Sequence, residues 1–537
     1  GSDELDLTGS FTRADARSVT RYVPITVLKG VRPWLERAFV SGQSTDTKFR
    51  VKGKIADFPF ADNKGGIFSV TAHITGGTLD YADGWPRISN IDGDLQFRGR
   101  RMAVSARQGT ISNVRLSNVR AQIPNLDADK AVLSVSGEAE GQTADFLGFI
   151  AKSPVNDMLD RFTEEMRGRG AGRLTLSLTL PLANLRDTRV NGAYQFANNQ
   201  IVVDPAIPPL DQANGRVEFT ESTVRVPNAA GVFLGGPATI SGNTQRDGTI
   251  RVTMQGRIDA DNVRRLGGPP LMQHLRGATD WRGAFTVQKK SADLVVESSL
   301  QGITSDLPVP LAKSAADAIP LRIERRFGGA QPQRMRLTYG DIASAILVLR
   351  TEGQRTLIDR GVVRLGGGSV TEPDRPGVWV SGSVKSLGFD EWLKFAGDPE
   401  SGSAYTLGGM QVTIASMDFF GRSFHDVSVK AINETGGFNI AVAGREFEGN
   451  GDWRPEGKGR LTARFRKLIL PPAETRLTEL KDRPPSKPLE LPALGIVIDD
   501  FQLGEKRLGR LEIYAVPENR DWRIERLHLT SPESTLT

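Results

Sequence analysis

The chain has 537 residues, 38% of them apolar and 58 of them glycine, with 69 Lys and Arg against 63 Asp and Glu. Apolar residues and glycine make up about half of it, as in ordinary globular domains, which argues against disorder. The absence of cysteine excludes disulfides, thiolate metal sites and a cysteine nucleophile, and a net charge of +6 is too small to argue for nucleic acid.

The longest largely apolar stretches, Ile342 to Leu349 and Leu491 to Ile498, run eight residues, well short of the ~18 to 20 that cross a bilayer as a helix. Gly1-Ser2 reads as a cloning remnant and Leu527 to Thr537 as a strand and turn cut short. The sequence is therefore expected to be part of a longer protein.

In chain order, Leu28 to Phe39 is a short amphipathic helix containing Trp34 and Leu35. Strands then follow one another. Apolar residues alternate with polar ones at Leu79 with Tyr81, Leu95 with Phe97, and Met102 with Val104 and Ala106, a period of two that puts them on one face of a strand. Ser153-Pro154 supplies an N-cap and a first-turn proline, after which Val155, Met158, Leu159, Phe162 and Met166 share one face, so a helix is expected over 153–168.

Alternation is plainest at Leu174, Leu176, Leu178 and Leu180, and recurs at Val217 with Phe219 and Val224 with Val226. Short helices are expected within 261–276, broken by Gly267-Gly268-Pro269-Pro270, and over Phe389 to Phe395 with Trp392. Two further alternating runs are Phe438, Ile440 and Val442, then Leu511, Ile513 and Ala515. Between them, Pro471 to Pro492 holds six prolines and many charges and reads as a surface loop.

Two internal similarities stand out. GDLQFRGRRMAVSARQG around Gly93 matches GRVEFTESTVRVPNAAG around Gly215 at an offset of 122, and Phe424 to Ala431 precedes the similar Leu508 to Ala515 by 84. A drifting period fits a strand array with insertions better than blades or short coils of ~20 to 50 residues. Strands with one dry face are typical of antiparallel meanders. The fold expected is mainly β: an elongated, twisted antiparallel repeating β-groove with a few short amphipathic helices. Its groove units fall at 3–152, 169–260, 277–400 and 401–537, and the apolar residues just named line it.

Enzyme signals are poor. No nucleophile elbow, phosphate-binding loop, zinc-protease or calcium-loop pattern occurs. His73, His274, His425 and His528 share no metal-ligand spacing on one element, and His73 and His528 alternate onto polar faces. Gly366-Gly367-Gly368 lies between strands without a helix to complete a phosphate site, so it reads as a turn or bulge. No catalytic residue, metal or cofactor is expected. What remains is apolar surface: many strands, few helices to cover them, and room for a lipid chain that gains roughly 0.8 kcal/mol per buried methylene.

The stretches DFPF (Asp57 to Phe60), GGIFSV (Gly65 to Val70), LDYADGWPRISNIDGDLQFRGRRMAVSA (Leu79 to Ala106), LQGITSDLPVPLAK (Leu300 to Lys313) and LPALGIVIDDFQLGEKRLGRLEIYA resemble, in order and spacing, the AsmA-like family of large bacterial proteins. The resemblance implies a monomeric periplasmic β-groove, anchored in the inner membrane of a Gram-negative bacterium by a segment absent here. Its implied role is to move phospholipids between inner and outer membranes without catalysis. The family offers no catalytic residues. A second reading from the same family is a scaffold or chaperone for outer-membrane or other envelope proteins, acting through strand edges.

Overall fold

The computed structural model describes residues 4–21, 25–60, 65–205, 207–266, 270–288, 291–328, 333–352, 355–396, 406–434, 436–472, 492–518, 521–531 and 535–536. Most of the Pro471 to Pro492 loop and the Gly267-Gly268-Pro269 break lie outside them. The described chain is mainly β, with short helices at the joints between strands. It divides into two compact units, Gly1–Ile258 with Arg282–Ala292, and Asp259–Trp281 with Asp293–Thr537.

In the first unit, Glu4–Phe11 pairs with Phe39–Lys54, and from there each strand lies antiparallel to its neighbour. The series continues through Gly66–Leu79, Ile88–Arg98, Arg101–Ile111, Val114–Ile123 and Val132–Gln142. Ala171–Pro181 pairs with Val132–Gln142, and Arg189–Val202, Leu210–Thr220, Val224–Phe233, Gly236–Thr244 and Ile250–Asp259 follow. The hairpins around Gly93 and Gly215, matched at an offset of 122, are equivalent pairs in this series: Gly93 faces Ala106 and Gly215 faces Ala229.

Register slips recur towards one end of these strands, between Ile74 and Gly77, Ser89 and Asp92, Ser117 and Arg120, Phe196 and Asn199, and Asp211 and Asn214. Asn90, Asn118, Asn198 and Gln212 take positive φ of 49° to 54° at these slips, a conformation that asparagine tolerates better than most residues. A bulge bends its strand. Repeated bulges thus bend successive strands near the same end.

The second unit is not wholly antiparallel. From Leu321–Gly328 to Arg355–Leu365 the pairing alternates as expected, but Arg355–Leu365 runs parallel to Gly377–Gly388, which runs parallel to Leu407–Phe419. Arg460–Leu470 likewise runs parallel to Ala493–Leu503. Each parallel step needs a crossover connection. These are the segment opened by Gly366-Gly367-Gly368, the segment containing helix Phe389–Ala396, and the proline-rich stretch. Hence the 84-residue similarity: both copies sit in a hairpin that follows such a step, with Val427 and Ala431 buried in one and Leu511 and Ala515 in the other.

The expected helix over 153–168 is replaced by a single turn, Val155–Met158, while Thr143–Ala151 is the longer helix. Asp160 and Arg161 have φ of 49° and 63°, which a right-handed helix cannot continue through. Gly168 belongs to the short strand Arg167–Arg169. Elsewhere, Ile25–Ala38, Ala260–Arg265 with Pro270–His274, and Phe389–Ala396 fall where short helices are expected.

Candidate functional site

Cross-strand register gathers the alternating apolar residues into rows. One row crosses eight strands of the first unit: Thr47, Ala72, Leu95, Val104, Ala121, Val135, Leu178 and Val190. A second joins Val70, Phe97, Met102 and Ile123; a third joins Leu116, Ala139, Leu174, Tyr194 and Val217; a fourth joins Gly137, Leu176, Gly192, Phe219 and Val224. Leu180 faces Leu133, Val226 faces Gly242, and Leu79 lies between Phe39 and Ile88. Tyr81 lies beyond its strand, which ends at Leu79. It belongs to the following turn, where Asp80 already departs from the sheet to bond Ala38.

These side chains are not a closed core. Leu174, Leu176, Leu178 and Leu180 are all half-buried, as are Leu95, Phe97, Val104, Val217, Phe219, Val224 and Val226. Arg173, Thr175, Ser177 and Thr179 between the leucines are exposed. Fully buried apolar residues in residues 39–250 are few and mostly alanine. The apolar face is thus extensive and half open.

In the second unit, Ile440, Gly451, Ala463, Ile496, Ile513 and Leu527 form one row, and Val442, Gly449, Phe465, Ile498, Leu511 and Leu529 another. Phe438 faces Trp453. Here part of the face is closed. Leu511 is only 8% exposed, and Val412, Ile414, Met417, Phe424, Val427 and Phe447 form a buried cluster with Phe389 of the short helix packed against it. Phe389 meets Phe419 edge-on at 5.2 Å.

The alternating pairs named above omit a second element of this face, aromatic rings laid over glycines of the adjacent strand. A Cβ at Gly192 would meet the Phe219 ring at 2.2 Å, one at Gly172 the Tyr194 ring, and one at Gly9 the Phe49 ring. Gly449 under Phe465 repeats the arrangement in the second unit. Only glycine leaves room for a ring to lie flat against the neighbouring backbone. The run Gly192, Tyr194, Phe196, with its own period of two, carries the signal.

At the bulged end of the first unit, helix Thr143–Ala151 reaches this face. Phe146 packs edge-on against Tyr194 at 5.0 Å and Phe149 against Trp85 at 6.1 Å. The Tyr194 hydroxyl donates to Thr143 Oγ1 at 2.8 Å, and Thr143 donates in turn to the side-chain oxygen of Asn199 at 2.5 Å. The Asn199 amide then donates to Ala197 and Ala171 carbonyls, so this fully buried side chain is satisfied. Burial raises the pKa of Tyr194, and it pushes the Tyr81 hydroxyl up to about 12.

Three histidines sit in polar pairs: His73 Nδ1 lies 2.8 Å from Asp94, His274 Nδ1 2.9 Å from Asp306, and His425 Nδ1 3.1 Å from Glu446. Among the described residues no three metal-ligating side chains cluster, and no helix is long and apolar enough to cross a membrane.

A model of the YhdP protein family matches residues 2–537. The chain belongs to the YhdP family. It is 20% identical over 462 residues, 82% of its length, to the intermembrane phospholipid transporter YhdP of Escherichia coli (strain K12). The match covers 35% of that relative, so the chain spans about a third of its length. No solved structure matches.

Proposed function

We propose that this chain is a section of a non-enzymatic lipid bridge that carries phospholipid between the inner and outer membranes. In this reading it lies in the periplasm, acyl chains rest on the apolar rows, and headgroups stay in water. The observation that carries the reading is the unbroken row from Ala72 through Leu95, Val104, Val135 and Leu178 to Val190, apolar on strand after strand yet half open. Its membership of the YhdP family, with a relative named as an intermembrane phospholipid transporter, supports the same reading. Burying roughly 0.8 kcal/mol per methylene holds an acyl chain without any one polar contact fixing its position.

A photoreactive amino acid at Phe97 or Phe219 is expected to give phospholipid adducts in cells. The same group at Gln96, exposed between Leu95 and Phe97, serves as the outward control. Equal adduct yields at all three positions would overturn the assignment. Purified chain is expected to carry phospholipid detectable by mass spectrometry; capture of unfolded outer-membrane proteins with no lipid would favour a scaffold instead.

A further inference from the structure

Aromatic residues that carry a polar tip are unevenly placed in the first unit. Its described tryptophans and tyrosines are Trp34, Tyr81, Trp85 and Tyr194, and all four gather at the end where the strands are bulged. Trp34 packs edge-on against Phe39 at 6.1 Å, Tyr81 and Trp85 lie 6.1 Å apart, Trp85 meets Phe149, and Phe146 of the same helix meets Tyr194. Tyr194 shares its row with Leu174 and Val217, so the line of rings runs from the turn after Leu79 onto the apolar face.

Two of the four polar tips are committed within the protein. Trp34 Nε1 donates to the Tyr81 carbonyl at 3.1 Å, and the Tyr194 hydroxyl donates to Thr143. The Tyr81 hydroxyl and Trp85 Nε1 have no partner among the described residues, although both side chains are half-buried. Such tips usually find a partner when buried. The turn that presents them is fixed: the Asp80 amide donates to the Ala38 carbonyl at 2.8 Å and the Trp85 amide to the Ala82 carbonyl at 3.2 Å. Burial pushes the Tyr81 pKa up to about 12, so its hydroxyl keeps its proton at neutral pH. The cations beside the two rings are paired, Arg37 with Asp83 at 2.7 Å and Arg87 with Asp80 at 3.0 Å, which leaves the turn with two neutral donors. Among the described residues of the second unit, free ring donors at Tyr339, Trp453 and Tyr514 stand singly.

We propose that Tyr81 and Trp85 form a subsite for the ester carbonyls of a diacyl phospholipid, with the hydroxyl and the indole N–H each donating to a carbonyl oxygen. This rests on the lipid-carrying reading above. Ester carbonyls lie between the acyl chains and the phosphate, and they accept hydrogen bonds without donating any. Two neutral donors at the margin of an apolar face match that level of the lipid, the level at which Trp and Tyr gather in membranes. Acyl chains leave the subsite past Phe149 and Phe146 towards the row of Leu174, Tyr194 and Val217.

The chain is incubated with vesicles holding equal amounts of a diester phosphatidylcholine and its diether analogue of the same chain length, which keeps the phosphocholine but lacks both carbonyls. Lipid retained on the repurified protein is measured by mass spectrometry. The diester is expected in about threefold excess, the scale of a hydrogen bond lost with its acceptor. Tyr81→Phe combined with Trp85→Phe is expected to bring the two lipids to equal retention with circular dichroism unchanged. Tyr81→Phe alone, which removes a single oxygen, is expected to lower the excess partway, so the test stands even if the double variant misfolds. Tyr514→Phe, at an exposed donor outside the turn, is expected to keep the parent ratio. Equal retention by the parent, an excess that survives in the double variant, or an equal fall in Tyr514→Phe overturns the inference and leaves the lipid path intact. Retention of neither lipid by the parent overturns both.

Discussion

Glycine positions decide how closely neighbouring strands approach. At Gly93 a Cβ would lie 2.6 Å from the Ala106 Cα and 2.7 Å from the Ser105 carbonyl oxygen, so backbone would have to move. Gly93→Val is expected to lower the stability of its hairpin by about 1–3 kcal/mol, measured as faster amide exchange in Ile88–Ile111. Asn199 is as exacting. Asn199→Ala leaves the Ala171 and Ala197 carbonyls and Thr143 without their partner, at about 1–3 kcal/mol. Faster exchange over Thr143–Ala151 is expected; unchanged protection there would mean that the helix is held by its rings alone. Alternation made Leu174 to Leu180 readable without coordinates. The contribution of Tyr194 was not, because its role depends on a glycine of the neighbouring strand and a threonine of the helix Thr143–Ala151.

Among the elements, the parallel steps were hidden for a related reason. A strand's own residues state which face is dry but not the direction of its neighbour, and each crossover pairs segments far apart in sequence, as Arg460 with Ala493. One sign was present. The run Ile342 to Leu349 is apolar at nearly every position, and the strand Ala343–Glu352 is covered on both faces, with Ala345, Ile346, Val348 and Leu349 all buried. The crossover from Gly366 is stapled by Glu372, which accepts from Arg334 Nε at 2.5 Å and Arg360 at 3.2 Å, either side of Val348. Its bond from Arg334, then that from Arg360, holds the Glu372 carboxyl below the usual glutamate range.

A lowered pKa means that this staple is fully present above the ordinary glutamate value of about 4.3 and is lost as pH falls through the lower folded value. Glu372→Gln is therefore expected to lower the thermal midpoint at pH 7, and the gap from the parent to close below pH 4. A gap that persists in acid would assign the effect to packing. The helix expected over 153–168 failed differently: its apolar spacing is helical, but Phe162 uses that spacing in a run of turns that sets its ring 6.2 Å from Phe285.

For the whole molecule, composition could not separate core from contact surface. Two compact units share one sequence pattern, yet residues of one kind stay half open in the first and close partly into a buried cluster in the second. The proposed lipid path accounts for the open rows of the first unit, whereas the cluster beside Phe389 in the second unit is closed by its own side chains.

The parallel steps also govern how such a chain can change length in evolution. In an uninterrupted meander, successive turns alternate between the two ends of the strands, so adding or deleting a pair of strands keeps every other turn on its own side. Loss of a single strand would exchange the sides for everything downstream, moving tips to where helices belong. A crossover returns the chain to its starting side and restores the count. The chain can therefore lengthen by odd or even numbers of strands only where it carries these returns, which are confined to the second unit among the described residues.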